Sequence, residues 1–199
     1  MGKLLLTSTT YLYIEVMGML NVDDIPAEVK WEIATRSSMG LAMGYSAAMR
    51  KFLNEKVAEE LDEAVWTEGG KGIGDIASSL GIPTGNAQEI ENAWNVIGEI
   101  VMPGVEAKVV ESNPERVVDR VDKCSTCSQA KEAGFSTESV CRPCRAFNEA
   151  TIESMNPNYT MNFNKRMCLG DDYCESVIEK KHGITLEAAP AGYHEEEGD

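Results

Sequence analysis

The stretch Val105-Glu-Ala-Lys-Val-Val-Glu111-Ser-Asn-Pro-Glu-Arg116-Val-Val-Asp-Arg-Val-Asp122 is where the chain changes texture. On either side of Ser112-Asn113-Pro114, valines alternate or cluster with charges. β-Branched residues in that pattern around a turn signal predict a β-hairpin. Everything before Pro103 reads as helix, and the remainder of the chain mixes helix with strand.

Upstream, the sequence runs from Ile25-Pro26 to Glu68 without another proline, with Asp23 and Asp24 as candidate caps. One or two long helices fit. Trp31, Ala34, Met39, Leu41, Met43, Ala47, Ala48, Phe52, Val57, Leu61, Ala64 and Val65 recur mostly every three or four residues, with acids between them. That spacing predicts a core stripe with a solvated acidic face. The methionines and Gly40-x3-Gly44 read as packing, thioethers filling gaps and small residues letting helices approach. Gly69-Gly70-Lys71-Gly72-Ile73-Gly74 reads as a helix break before a short helix, Asp75 to Leu80. Gly72-Ile73-Gly74-Asp75-Ile76-Ala77 formally matches a dinucleotide fingerprint, but it follows a helix where that fingerprint needs a strand, so it is taken as a turn. Asn86 to Val101 forms a further helix, ended by Pro103-Gly104. Trp31, Trp66 and Trp94 fall in or at the ends of these helices and read as core or helix-interface residues.

Downstream of the hairpin, Cys144 to Met155 is helical, and Tyr159 to Met167 and Tyr173 to Glu179 alternate like strands. Leu186 to Asp199 carries five acids and no Lys or Arg, which predicts a disordered tail.

In 199 residues, 33 acids stand against 18 basic side chains, a formal charge of −15. A polyanion would be repelled, because nucleic-acid affinity is built largely from Lys and Arg on phosphates, so no nucleic-acid partner is expected. With 43% hydrophobic residues the chain is an ordinary globular one. No apolar run approaches the ~18 residues that span a bilayer, and Leu4 to Leu6 is too short for a signal h-region. The expectation is a soluble cytoplasmic protein without a membrane partner, whose thiols are kept reduced rather than joined in a disulfide framework.

Six cysteines, Cys124, Cys127, Cys141, Cys144, Cys168 and Cys174, all lie in one 51-residue stretch. Cys124-Ser-Thr-Cys127 and Cys141-Arg-Pro-Cys144 are C-x2-C pairs separated by thirteen residues. A two-residue spacer folds back as a turn and places two thiolates on one tetrahedral ion. Six candidate ligands are two more than zinc needs. An iron–sulfur cluster, [4Fe-4S] as the alternative to zinc, also takes four thiolates. His182 and His194 stand near the chain end, so any metal must be held mainly by sulfur. Buried free thiols, or a redox role for one pair, are the competing readings.

Lys123-Cys124-Ser-Thr-Cys127-Ser-Gln-Ala, Gly134-Phe-Ser-Thr-Glu-Ser-Val140-Cys141 and Met167-Cys168-Leu-Gly170-Asp171-Asp-Tyr-Cys174-Glu175 resemble, in order and spacing, the 4-vinyl-reductase domain. The likeness covers about residues 105–180, and its most specific part is the Gly-Asp-x-x-Cys ending. Together with Ala64-Val65-Trp66-Thr-Glu-Gly-Gly70 closing a long helix, the cysteines also resemble the L-2-amino-thiazoline-4-carboxylic acid hydrolase-like proteins over most of the chain.

The first resemblance implies zinc held by cysteines and one Glu beside an aromatic-ligand pocket, as in phenol-sensing regulators. Cys141, Cys168 and Cys174 fall on the three cysteine positions. Lys165 replaces the family's Glu, so Cys124 or Cys144 would complete the shell. The final cysteine spacing is shorter than in those sensors, and Cys127 and Cys144 are additional. The second resemblance implies hydrolysis of a small cyclic amide or thiazoline, with no catalytic residue that can be carried over.

The fold expected is α+β: a helical region over 1–104 packed on a small mixed α/β domain over 105–184 that contains a cysteine-ligated metal site, with the tail over 185–199. The function expected is a zinc- or iron–sulfur-bearing protein that binds or senses a small apolar or aromatic ligand. Hydrolysis is the alternative and iron–sulfur electron transfer the third reading. Phe135, Phe147, Tyr159 and Phe163 could line the pocket, and the stripe from Trp31 to Val65 makes room for a homodimer.

Overall fold

The computed structural model describes residues 21–132 and 134–181. Leu4 to Leu6, His182, His194 and the acidic tail lie outside the described residues. Three helices come first, α1 (Ala27–Phe52), α2 (Glu55–Ser79) and α3 (Ala87–Val101). They are followed by β1 (Glu106–Asn113), β2 (Arg116–Lys123), α4 (Ser125–Glu132), α5 (Cys141–Met155), β3 (Tyr159–Lys165) and β4 (Cys174–Lys180). The strands form one antiparallel sheet in the order β1-β2-β4-β3, and no described helix is long and apolar enough to cross a membrane.

The hairpin at 105–122 forms as read. Asn113 Oδ1 accepts the backbone N–H groups of Glu115 and Arg116, an Asx turn that fixes the register Asn113↔Arg116. Alternation then sorts the faces. Val117 of β2, Ile178 of β4 and Tyr159 and Met161 of β3 point to the same side, where Ala87 and Ile90 of α3 and Ile152 of α5 cover them. α3 starts at an Asn86 cap whose side chain accepts the Glu89 N–H.

α2 departs from expectation, because it runs unbroken through Gly69 to Gly74. The reason is contact with α5. A Cβ at Gly70 would overlap the Phe147 carbonyl oxygen, and one at Gly74 would come within 2.6 Å of Ser154 Oγ. The two glycines one turn apart let α2 and α5 meet backbone to backbone. Packing offsets a helix propensity deficit of ~1 kcal/mol per glycine. Their seam carries a second core of Ile73, Ala77, Ile97 and Phe147, with Trp66 edge-on to the Phe147 ring at 5.6 Å and Trp94 at 5.8 Å.

Gly40 and Gly44 do not play that part, since an added Cβ at either would meet nothing within 4 Å. The stripe read as core from Trp31 onward is not buried on α1 in this chain. No α1 residue is buried, and Leu41, Tyr45 and Phe52 are 63%, 70% and 85% exposed. Trp31 stays partly exposed and donates its indole N–H to the Ile100 carbonyl at 2.8 Å. Asp23 and Asp24 do not cap α1. They lie in a short 3-10 turn that Asn21 caps, and Pro26 precedes the helix.

Candidate functional site: an apolar cavity on a sulfur-lined wall

The six cysteines come from separate places in the chain and converge. Cys124 follows β2 and sits just before α4, with Cys127 in the first turn of that helix. The Cys124-Cys127 knuckle is therefore the start of a helix, where a turn alone was expected. Cys141 and Cys144 occupy the first turn of α5, whose Pro143 needs no intrahelical N–H partner there. Cys168 lies in a 3-10 turn after β3, and Cys174 opens β4.

The Gly-Asp pair between these last two has a structural role. Gly170 adopts φ +101°, a left-handed conformation suited to glycine, and Asp171 Oδ2 accepts the Arg166 N–H at 2.7 Å. Together they close the turn that carries Cys168 inward. All six cysteines line one small pocket of about 20 Å³.

Within it, Cys141 and Cys168 are joined as a disulfide, tying the start of α5 to the β3–β4 turn. That departs from the expectation that all thiols are reduced. The other four are free, with Cys127 packed on the disulfide and Cys124 against that cluster. Among the described residues no three His, Cys, Asp or Glu side chains stand where they could hold a metal ion. As the sulfurs are arranged here, with two consumed by each other, the set does not fit a metal. Lys165 stands apart from it, its Nζ 2.6 Å from the Tyr173 hydroxyl and 4.3 Å from the ring centre.

The free thiols have unequal surroundings. Hydrogen bonds from the Cys127 thiol, and from backbone N–H groups at the start of α4, hold the Cys124 thiol down at about 6 although burial opposes this. The same hydrogen bond, with burial, pushes Cys127 up. Burial pushes Cys144 up to about 12 and raises Cys174, whose sulfur accepts the Met167 N–H at 3.3 Å.

Next to the sulfur pocket and sharing Cys124, Cys144 and Cys174 with it lies a larger cavity of about 130 Å³. Its walls come from α1 (Met39, Ala42, Met43), α2 (Trp66), α3 (Trp94), α5 (Phe147) and the sheet (Val121, Met161, Phe163). Phe135, Phe147 and Phe163 are therefore cavity residues. Tyr159 belongs to the core instead, its hydroxyl donating to the Pro114 carbonyl at 3.3 Å.

One part of the wall escaped sequence reading. Asp62, 3% exposed, accepts Arg50 Nη1 at 2.5 Å and the Ser46 hydroxyl at 2.8 Å, and both Asp62 and Ser46 face the cavity. Asp62 fell in the stretch read as an acidic face. Its helical phase, four residues before Trp66, was the available signal. A volume of this size is comparable with the ~150 Å³ apolar cavity that accepts benzene in an engineered protein.

The fold is shared with proteins of distant sequence. The chain is similar to a trafficking protein particle complex subunit 3 from Naegleria fowleri covalently bound to palmitic acid, with TM-score 0.53 and 15% identity, covering 75% of this chain and 96% of that one. It is also similar to the phenol-responsive sensory domain of the transcription activator PoxR with phenol, with TM-score 0.50 and 10% identity, covering 71% and 73%. No curated protein matches the chain. At the level of sequence, the family model described as L-2-amino-thiazoline-4-carboxylic acid hydrolase matches residues 35–177, and the chain belongs to that family.

Proposed function

We propose that the protein binds a small apolar or aromatic molecule in the cavity between the helices and the sheet, and that the cysteine cluster beside it governs what happens to that molecule. The observation that carries this is the shared wall. The same space is bounded by Trp66, Trp94 and Phe147 on one side and by Cys124, Cys144 and Cys174 on the other. Apolar surroundings supply affinity for a ring, while a few polar groups, Asn148, Ser176 and Ser46 among them, orient it. The phenol of the similar sensory domain makes a single ring the natural first probe.

Calorimetric titration with phenol and a series of single-ring aromatics tests the reading. One saturable site per chain is expected, and heats indistinguishable from dilution across the series would sink it.

The cluster's second part in this reading is metal binding. Cys124, Cys127, Cys144 and Cys174, with Cys141 and Cys168 once reduced, would hold zinc, or [4Fe-4S] as the alternative. An anaerobic preparation that is brown and absorbs near ~400 nm supports the cluster and electron transfer. A colourless preparation with zinc bound speaks against it.

Hydrolysis is the reading favoured by family membership. Cys124, with its thiol held down at about 6 on the cavity wall, is the nucleophile it would use. Incubation with L-2-amino-thiazoline-4-carboxylate decides it: ring opening that Cys124→Ser abolishes supports hydrolysis, and an unchanged substrate counts against it. The exposed apolar face of α1 supports a homodimer.

A further inference from the structure

We infer that the cavity selects for a ring that bears a hydrogen-bond donor, a phenolic hydroxyl or an aromatic amine, and that Asp62 Oδ1 is the acceptor that receives it. The inference rests on the cavity reading above and deepens it from an apolar ring to a ring of stated polarity.

Two helical stripes set the placement. On α1, Met39, Ala42, Met43 and Ser46 recur at three- and four-residue spacings, and all of them line the cavity. On α2, Asp62 and Trp66 stand one turn apart and line it from the other helix. Arg50 follows Ser46 by one turn and is not part of the wall, yet it reaches the same carboxylate. Its Nη1 donates to Asp62 Oδ2 at 2.5 Å and also to Ser46 Oγ, while the Ser46 hydroxyl donates to Asp62 Oδ2 at 2.8 Å. Arg50 and Ser46 therefore converge on one carboxylate oxygen.

The other oxygen is left over. Among the described residues, Asp62 Oδ1 accepts no hydrogen bond, although the side chain is only 4% exposed. The buried side-chain atoms that are sealed off without a partner are Ser125 Oγ and Thr151 Oγ1, and Oδ1 is not one of them. An oxygen that stays reachable on so buried a side chain opens onto the space that side chain lines. A carboxylate oxygen held in apolar surroundings without a donor costs free energy, and a ligand that brings the donor offsets that cost.

Charge narrows the class further. Arg50 already balances Asp62, so a cation would carry an unmatched charge into the cavity, whereas a neutral O–H or N–H meets no such penalty. The competing acceptor on the wall is the Asn148 amide oxygen, whose own NH2 group donates to the Cys144 carbonyl at 2.7 Å. It is uncharged, and hydrogen bonds to an ionised acceptor are roughly twice as strong.

The test is calorimetric titration of the full chain with phenol and aniline, which have a donor, and with toluene and anisole, which lack one. Phenol and aniline are expected to bind at least about tenfold more tightly, the reverse of the order that burial of apolar surface alone produces. Arg50→Met combined with Asp62→Leu removes the ion pair without stranding either charge, and is expected to abolish that preference. Toluene binding as tightly as phenol to the native chain overturns the inference and leaves the cavity reading standing. No binding of any of these rings overturns both. A phenol preference kept by the folded double variant overturns the assignment to Asp62. If that variant does not fold, a crystal structure of the native chain with phenol decides. The hydroxyl oxygen is expected within about 3.0 Å of Asp62 Oδ1, and a separation beyond about 3.5 Å overturns the inference.

Discussion

Gly70 of α2 lies directly against the backbone carbonyl of Phe147 on α5, and the Phe147 ring forms part of the cavity wall. One contact therefore links the helix crossing that organises the fold to the site it encloses. Gly70→Ala is expected to destabilise the chain by about 1–3 kcal/mol, because backbone rather than a flexible side chain must yield. Gly40→Ala and Gly44→Ala, whose new methyl groups meet open space, are expected to be neutral or stabilising by up to about 1 kcal/mol through helix propensity. Thermal unfolding of the three variants checks the contrast, and equal losses at all three positions would mean that α1 is packed as tightly as α2.

A side chain that fills the cavity should separate binding from folding. Ala42 projects into the space from α1, the helix with no buried residue. Ala42→Phe is expected to weaken binding of a single-ring aromatic at least tenfold, with stability changed by less than about 1.5 kcal/mol. Calorimetry and denaturant melts of the same sample measure both. Undiminished affinity would place the ligand elsewhere.

Asp119 of β2 carries the pH dependence. Burial, and then the neighbouring Glu91 of α3, push its carboxyl up from 3.8 to about 7. Glu91 is itself raised by burial despite the hydrogen bond from Asn95. Between these two values the folded chain holds a proton that the unfolded chain has released. The contribution of Asp119 to stability is therefore fully present below about pH 4, falls as pH rises toward 7 and is lost above it, an effect of up to about 4 kcal/mol. Asp119→Asn is expected to match the native chain at pH 4 and exceed it at pH 8. Parallel pH profiles for the two proteins would refute the assignment.

The open face of α1 makes a statement about assembly. Leu41 and Tyr45 are two of its most exposed large side chains. The chain is expected to sediment at twice its mass, and Leu41→Glu combined with Tyr45→Glu to return it to a monomer with unchanged thermal stability. A native chain that sediments as a monomer at high micromolar concentration contradicts a homodimer.

Much of the architecture was legible because local signals and tertiary packing agreed. The hairpin at 105–122, α3 behind its Asn86 cap, α5 and the two later strands all stand close to where periodicity and turn chemistry put them. Where the two levels disagreed, packing prevailed. Gly69 to Gly74 has poor helix propensity, yet it is helical because only glycine admits the Phe147 carbonyl and Ser154 at that distance.

The site was partly legible. Grouping the cysteines by spacing found the residues that meet in space, but spacing carries no information on which pair bonds, and Cys141–Cys168 spans 27 positions. Phe135, Phe147 and Phe163 were recognised as pocket candidates, whereas Asp62 looked like one more surface acid. Its burial depends on Arg50 and Ser46 reaching it from the preceding helix, a relation that only the α1–α2 turn creates.

The most direct test of the ligand site is a crystal structure of the reduced chain grown with phenol. The ring is expected among Trp66, Trp94 and Phe147, in contact with the wall formed by Cys124, Cys144 and Cys174. Phenol bound only at the surface, or a cavity closed by its own side chains at saturating phenol, would contradict it.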